Sequence, residues 1–259
     1  DLQHLDFPKY FKKKEITMRN ENFKKIIREN DAILVNSNFV KKGLLRNYEV
    51  KNKKIFTIPF LPYKYDSKSN PSINLKEKFK ISKNFFIICN HFWKHKNHDL
   101  AFSAFSRFLN DNDNYILVCT GLTNDSRFPN YFNELKKKYG KLIENEKIKI
   151  LNLIPREEQI YLMQKSTAVI QPSLYEGGPG GFSAYEAVSY SKKLLLSDIK
   201  INKEINYKNV LFFSSKSSRD LYMKLKKITK TKNTLKVKNN SNINKTKLGN
   251  YFFNLIDKN

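Results

Sequence analysis

Eight short runs of apolar, mostly β-branched or aromatic residues leave this chain few architectures. They are Ala32–Val35, Ile55–Phe60, Phe85–Cys89, Tyr115–Cys119, Ile148–Ile154, Ala168–Ile170, Leu194–Leu196 and Val210–Phe213. Each has the length and composition of a buried strand. From Phe85 onward, segments whose apolar positions recur at three and four lie between them: His98–Leu109, Tyr131–Leu142, Arg156–Gln164, Ser183–Ser189 and Asp220–Ile228. Phe102, Phe105, Phe108 and Leu109 mark one such helical face. Strand and helix in strict alternation predict an α/β fold, with a parallel sheet covered by helices on both faces. In such a sheet ligands bind beyond the carboxyl ends of the strands.

A length of 259 residues allows two modest domains. Residues 84–229 carry the alternating pattern. Residues 61–83, with Pro62, Pro71 and several serines, read as an interdomain linker. Residues 1–60 hold two strands and two helices, too little for a closed sheet. Residues 230–259 form a basic tail ending in Leu248, Tyr251, Phe252, Leu255 and Ile256, a helical apolar face that needs a surface to cover it.

The 49 Lys and Arg against 24 Asp and Glu leave a net charge of +25. That balance excludes an acidic solvating tail and makes basic partners unfavourable. Lysine and asparagine are spread over every element, which reads as compositional bias rather than a nucleic-acid surface, so no nucleic-acid partner is expected. The diffuse positive field still favours phosphate-bearing ligands and anionic lipid headgroups. The longest wholly apolar stretch, Phe85–Cys89, is far short of the roughly 20 residues a membrane-spanning helix needs. The two cysteines, Cys89 and Cys119, lie inside apolar runs and read as buried thiols. A cytoplasmic chain, peripheral at the inner face of the cell membrane, is the expectation.

Scarce residue types are the informative ones against this background. Four of the 8 glycines fall within Gly177–Gly181, and three of the 4 histidines and the single tryptophan within His91–His98. Both stretches follow a predicted strand and precede a predicted helix. Clustered glycines let backbone N–H groups approach a ligand, and the helix start behind them favours a diphosphate; a flexible turn is the plainer reading. No Walker lysine follows, and the position is too late in the fold for the dinucleotide fingerprint. Glu176 beside the glycines suits sugar hydroxyls. Ser183-Ala184-Tyr185-Glu186 fits a capping box as well as it fits a ligand carboxylate at Glu186. In the histidine loop, Lys96 is placed to neutralise phosphate, or is one solvated lysine among many. The interleaved lysines argue against a metal at His91, His95 and His98. Asp111-Asn112-Asp113 mimics a metal-holding pattern but precedes a strand and reads as a turn.

At these residues the chain resembles the family 4 (group 1) retaining glycosyltransferases of the GT-B fold, in which two Rossmann-like domains face each other. The resemblance rests on Asp1-Leu2-Gln3-His4 with Phe7-Pro8, Asp31 to Ser37, Asn90 to His98, Ser173 to Gly177, Tyr185-Glu186-Ala187, and Ser197-Asp198-Ile199 followed by Glu204. It implies a complete C-terminal Rossmann-like domain and the remnant of an N-terminal one. The implied activity is transfer of a hexose from a GDP- or UDP-linked donor to a glycan or lipid-linked acceptor, with retention of configuration and commonly without metal or other cofactor. Cell-surface polysaccharide synthesis is the implied setting; a truncated nucleotide-sugar-binding module is the alternative. By the same resemblance Lys96 would hold the diphosphate, Glu176 would contact the donor sugar and Glu186 the ribose diol. Amides of Gly177, Gly178, Gly180, Gly181 and Phe182 would meet sugar and phosphate, and the backbone near Asn152 and Leu153 would face the base. Nine residues separate the two glutamates where the family usually has seven. His91 stands where an arginine commonly partners the lysine. The family's N-domain catalytic histidine would fall just before Asp1 or at His4.

Overall fold

The computed structural model describes residues 1–50, 53–58, 60–61, 75–190, 192–230 and 241–257. It contains two parallel sheets. Strands β1 (Ala32–Val35) and β2 (Lys54–Thr57) form the smaller. The larger has six strands: β3 (Asn84–Cys89), β4 (Tyr115–Thr120), β5 (Ile148–Ile150), β6 (Ala168–Gln171), β7 (Leu194–Ser197) and β8 (Val210–Phe213). Their spatial order is β5-β4-β3-β6-β7-β8, and every neighbouring pair is parallel. The helices are α1 (Lys13–Glu29), α2 (Asn38–Asn47), α3 (His98–Leu109), α4 (Tyr131–Glu144), α5 (Arg156–Lys165), α6 (Gly181–Ser189), α7 (Ser218–Lys230) and α8 (Ser241–Asp257), with single turns between some of them.

All four residues of β6 and of β7 are buried, as a sheet covered on both faces requires. Alternate side chains of β3 go to opposite layers. Phe86 and Ile88 pack with Phe102, Phe105 and Phe108 of α3 and Leu221 and Leu225 of α7. Phe85 and Ile87 pack with Leu162 and Met163 of α5 and Ala184, Ala187 and Val188 of α6. The period of two along the strand therefore builds two hydrophobic layers from one run. Phe86 is the centre of the first, with the rings of Phe108 at 5.5 Å and Tyr115 at 5.3 Å.

The smaller sheet has its own cluster, Ile27, Ile33, Val35, Val40, Leu44 and Ile55, joined by Ile201 from beyond β7. Polar contacts fasten it to the larger sheet. Glu204 accepts from the backbone N–H of Asn38 (2.9 Å) and Phe39 (2.7 Å), capping α2 from the other unit, while Ser37 caps it locally through Val40 N–H at 3.1 Å. Leu2 N–H donates to the Tyr175 hydroxyl at 3.0 Å, and the Tyr251 hydroxyl of α8 donates to the Thr57 carbonyl at 2.6 Å.

Two predicted strands are shorter than expected. The Ile148–Ile154 run leaves the sheet after Ile150 because Asn152 takes a left-handed conformation, φ +55°, and its carbonyl accepts from Gly121 N–H at 2.8 Å. The Ile55–Phe60 run ends as strand at Thr57. Most of the predicted linker, residues 62–74, and residues 231–240 of the predicted tail lie outside the described residues. Asp111-Asn112-Asp113 is a turn between α3 and β4: Asp111 pairs with Lys226 at 3.0 Å, and the Asp113 carbonyl accepts from Lys83 and Lys147.

Phe86→Ala removes the ring on which the first layer centres. The expected cost is about 3–5 kcal/mol, read as a lowered midpoint in urea unfolding.

Candidate active site

In the six-stranded sheet the chain turns one way from β3 to β4 and the other way to reach β6, so the loops after β3 and β6 flank the switch point, where such sheets form a crevice. The first loop runs from Asn90 through a turn at Lys94–Lys96 and enters α3 after Asn97, whose φ of +58° an asparagine tolerates. Buried Asp125 shapes it, accepting from the N–H of Lys94 and of Arg127, each at 2.9 Å. The second loop is tied to the first: Leu174 N–H donates to the His95 carbonyl at 2.8 Å, and Asn97 Nδ2 donates to the Pro172 carbonyl at 3.2 Å.

These ties bring Lys96 and Glu176 together. Lys96 Nζ lies 2.8 Å from both Glu176 oxygens, with the two side chains only 12% and 5% exposed. Glu176 Oε1 also accepts from Gln171 Nε2 at 2.7 Å. The glycines follow. Gly180 and Gly181 have φ of +63° and +62°, which strains any other residue. A Cβ on Gly180 would collide with Ala184, and one on Gly181 would stand 2.9 Å from Glu176 Oε2. Two of the expected ligand amides are already used: Gly180 N–H donates to Asn202 Oδ1 at 2.8 Å, and Gly181 N–H to the Gly178 carbonyl at 3.3 Å. The turn needs those bonds to hold its left-handed pair.

A cleft of about 530 Å³ opens over this loop. Glu176, Gly178, Gly181, Phe182 and Glu186 line it from the larger unit, and Asp1 and Asn36 from the smaller, with Asn36 Nδ2 donating to the Gly177 carbonyl at 2.6 Å. Phe182 is 83% exposed at its rim. The capping-box reading of Ser183 and Glu186 is overturned. Helix α6 begins two residues earlier, behind Gly180, with no side-chain cap, and Ser183 Oγ donates to Gln171 Oε1 at 3.0 Å. Glu186 lies within the helix, buried, with Arg156 at 2.6 Å in an ion pair whose approach is off the line of a hydrogen bond. Burial raises its pKa, and the Arg156 charge works in the opposite direction.

The other expected residues divide. His91 Nδ1 accepts from Leu122 N–H at 2.9 Å, and burial, then Lys96, lowers its pKa. It stands there as a neutral imidazole, not as a substitute for an arginine cation. Asn152 and Leu153 lie at the carboxyl end of β5, Leu153 exposed, and do not line the cleft. His4 is fully buried in the smaller unit, stacked on Phe23 at 5.7 Å with Nε2 on Asn20 Oδ1 at 3.0 Å. Aromatic packing removes it from the cleft, so the expected catalytic role at His4 is corrected to a core one. His98 is buried against Phe92, and burial lowers the pKa of both His95 and His98 to about 3. Among the described residues no group of three or more metal-ligating side chains comes together.

Sequence reasoning missed Gln171, Arg156, Asn36 and Asn202. A signal existed for the first two: Gln171 is the polar residue closing an otherwise apolar strand, and Arg156 is one of only seven arginines. Asn36 and Asn202 are indistinguishable from the many other asparagines.

Residues 71–246 match the family model described as glycosyl transferases, group 1. No curated protein gives a significant match. Among solved structures, a glycosyltransferase from Rickettsia africae ESF-5 is 22% identical, with a TM-score of 0.63 over 88% of this chain and 61% of that one. Anabaena Alr3699/HepE, solved in complex with UDP, is 16% identical, with a TM-score of 0.70 over 90% of this chain and 65% of that one. A UDP-forming α,α-trehalose-phosphate synthase from Burkholderia xenovorans is 15% identical, with a TM-score of 0.63 over 82% and 56%. The chain thus spans less than two thirds of the length of each of these three, and the likeness establishes the GT-B fold. With the family model covering well over half of its residues, this chain belongs to the group 1 glycosyltransferases.

Proposed function

We propose that the chain transfers a hexose from a nucleoside-diphosphate sugar, UDP- or GDP-linked, to a glycan or lipid-linked acceptor with retention of configuration, in the synthesis of a cell-surface polysaccharide. The Glu176 carboxylate and the glycine turn line one cleft, and the Lys96 ammonium is paired with that carboxylate at 2.8 Å; this arrangement is the observation that carries this reading. UDP bound to the Anabaena neighbour supports the donor class.

In this reading the bond between the anomeric carbon and the diphosphate oxygen breaks, the acceptor hydroxyl oxygen bonds to that carbon from the same face, its proton passes to the departing diphosphate, and negative charge grows on that leaving group. Lys96 supplies a cation there, and the start of α6 adds its positive dipole end. The amides of Gly177, Gly178 and Phe182 take the contacts that Gly180 and Gly181 cannot. Glu176 accepts from hydroxyls of the sugar, and Glu186 from the ribose diol, with Arg156 offsetting its charge. His91 contributes a neutral contact at most. The Asn152–Leu153 backbone meets the base only if the ligand extends along the strand ends past β4. The acceptor enters from the side of Asp1 and Asn36.

A second reading, a nucleotide-sugar-binding module without transfer, is favoured by one observation: among the described residues, the smaller sheet has two strands against six in the larger. Donor binding with neither transfer nor donor hydrolysis identifies that module. Among the described residues no helix is long and apolar enough to cross a membrane. The charge of +25 makes attachment to anionic membrane part of the proposal.

UDP or GDP at millimolar concentration raises the melting temperature, and Lys96→Ala weakens that binding at least about tenfold; no shift with any nucleoside diphosphate counts against the proposal. The pH dependence has a definite sign. Folding favours protonated Glu186, so ionising it lowers stability as pH rises through the raised pKa. A diol-accepting Glu186 must be ionised, so nucleotide affinity is full above that pKa and falls below it, and Glu186→Gln abolishes this part of the profile in calorimetric titrations. Pelleting with liposomes requires anionic lipid and declines with salt.

A further inference from the structure

Gln171 closes β6, fully buried, at the switch point of the sheet. Its amide uses all of its hydrogen-bonding capacity. Oε1 accepts from Asn90 Nδ2 and, at 3.0 Å, from Ser183 Oγ; Nε2 donates to Glu176 Oε1 at 2.7 Å and to the Gly180 carbonyl at 3.1 Å. A carboxylate and a carbonyl can only accept, which settles which end of the amide faces them. One side chain thereby links the start of the lysine loop, the glutamate, the left-handed glycine and the first turn of α6.

The two Glu176 oxygens are not equivalent. Oε1 has two donors, Lys96 and Gln171, whereas Oε2 has Lys96 and lies 2.9 Å from the place a Gly181 Cβ would occupy. A diphosphate that draws the ammonium away removes a donor from both oxygens. Without a second donor the carboxylate would be free to rotate. With Gln171 on Oε1, only Oε2 is released.

We propose that Gln171 is a positioning residue: it holds Glu176 by Oε1 when Lys96 turns to the diphosphate, presenting Oε2 to a hydroxyl of the donor sugar. This deepens, and rests on, the nucleotide-sugar reading above. Its consequence is a division of labour. Lys96 serves the nucleoside diphosphate, common to every donor, while Gln171 acts on the sugar alone.

The test measures binding of UDP, GDP and their hexose conjugates to the full chain by calorimetry, for the wild type, Gln171→Leu and Gln171→Met. Gln171→Leu keeps a branched end of similar size and Gln171→Met keeps the length; each removes both the donor and the acceptor without adding a charge. Both are expected to bind the bare diphosphate within about threefold of wild type and to lose at least about tenfold in affinity for the sugar conjugate. Equal losses for diphosphate and conjugate signify a merely structural role and overturn the proposal, as does unchanged binding of both. If neither variant folds by circular dichroism, Ser183→Ala frees one side of the amide without touching Glu176 and must show the same split in weaker form; no split overturns the proposal. A wild type that binds neither diphosphate nor conjugate overturns the nucleotide-sugar reading itself and this proposal with it. Wild-type binding with a silent Gln171 series overturns only the proposal.

Discussion

The ion pair between Lys96 and Glu176 is the contact on which the rest of the site depends. Taking an ammonium and a carboxylate out of water costs several kcal/mol per ion, and only close geometry with further hydrogen bonds offsets it. Both conditions hold: the ammonium reaches both oxygens at 2.8 Å, and Gln171 adds a neutral donor. As a device for stability this pair is inefficient, since apolar residues of similar volume would serve as well. In the proposed binding of a nucleoside-diphosphate sugar, the pair would hold a cation and an acceptor next to each other, at the carboxyl end of the sheet, for an incoming anion to separate.

Everything that places those two side chains belongs to the sheet order. Because β3 and β6 are neighbours while their connections diverge, the loops that follow them meet at the switch point. Asp125, Asn97 and Asn202 then fix the loop backbones through hydrogen bonds. The left-handed pair Gly180–Gly181 turns the chain tightly enough to start α6 beneath the cleft. The smaller unit completes one wall. Its attachment combines polar contacts, through Glu204 on α2 and Asn36 on Gly177, with apolar ones, Ile201 in the smaller unit's cluster and the rings of Phe7 on Tyr175 at 5.9 Å and Tyr10 on Phe128 at 5.0 Å.

The fold was legible wherever burial on both faces forced an apolar run: β3, β4 and β6 to β8 lie within a residue of the expected bounds, and α3 matches residue for residue. Where the structure departs from the expectation, or decides between readings the sequence left open, the reason lies outside hydropathy and spacing. Ile148–Ile154 continues apolar beyond β5, but a left-handed asparagine ends the strand, and hydropathy carries no record of a dihedral angle. Ser183 and Glu186 obey the spacing of a capping box, yet two glycines start the helix early and turn both side chains to tertiary partners. His4 has the residue type of a catalytic group and the surroundings of a core one.

Composition and local order thus sufficed for the α/β class, for the two loops that matter, and for Lys96 and Glu176 as candidates, because rare residue types and apolar periodicity are properties of neighbouring positions. What they could not supply is that Glu176 Oε1 has two donors and Oε2 one, that Gln171 and Arg156 meet the two glutamates, and that two of the glycine amides are already spent. Those depend on groups tens of residues apart meeting within hydrogen-bond distance, as Gln171 meets Asn90 and Arg156 meets Glu186. Such meetings are set by strand order and helix packing, which no local stretch of sequence contains.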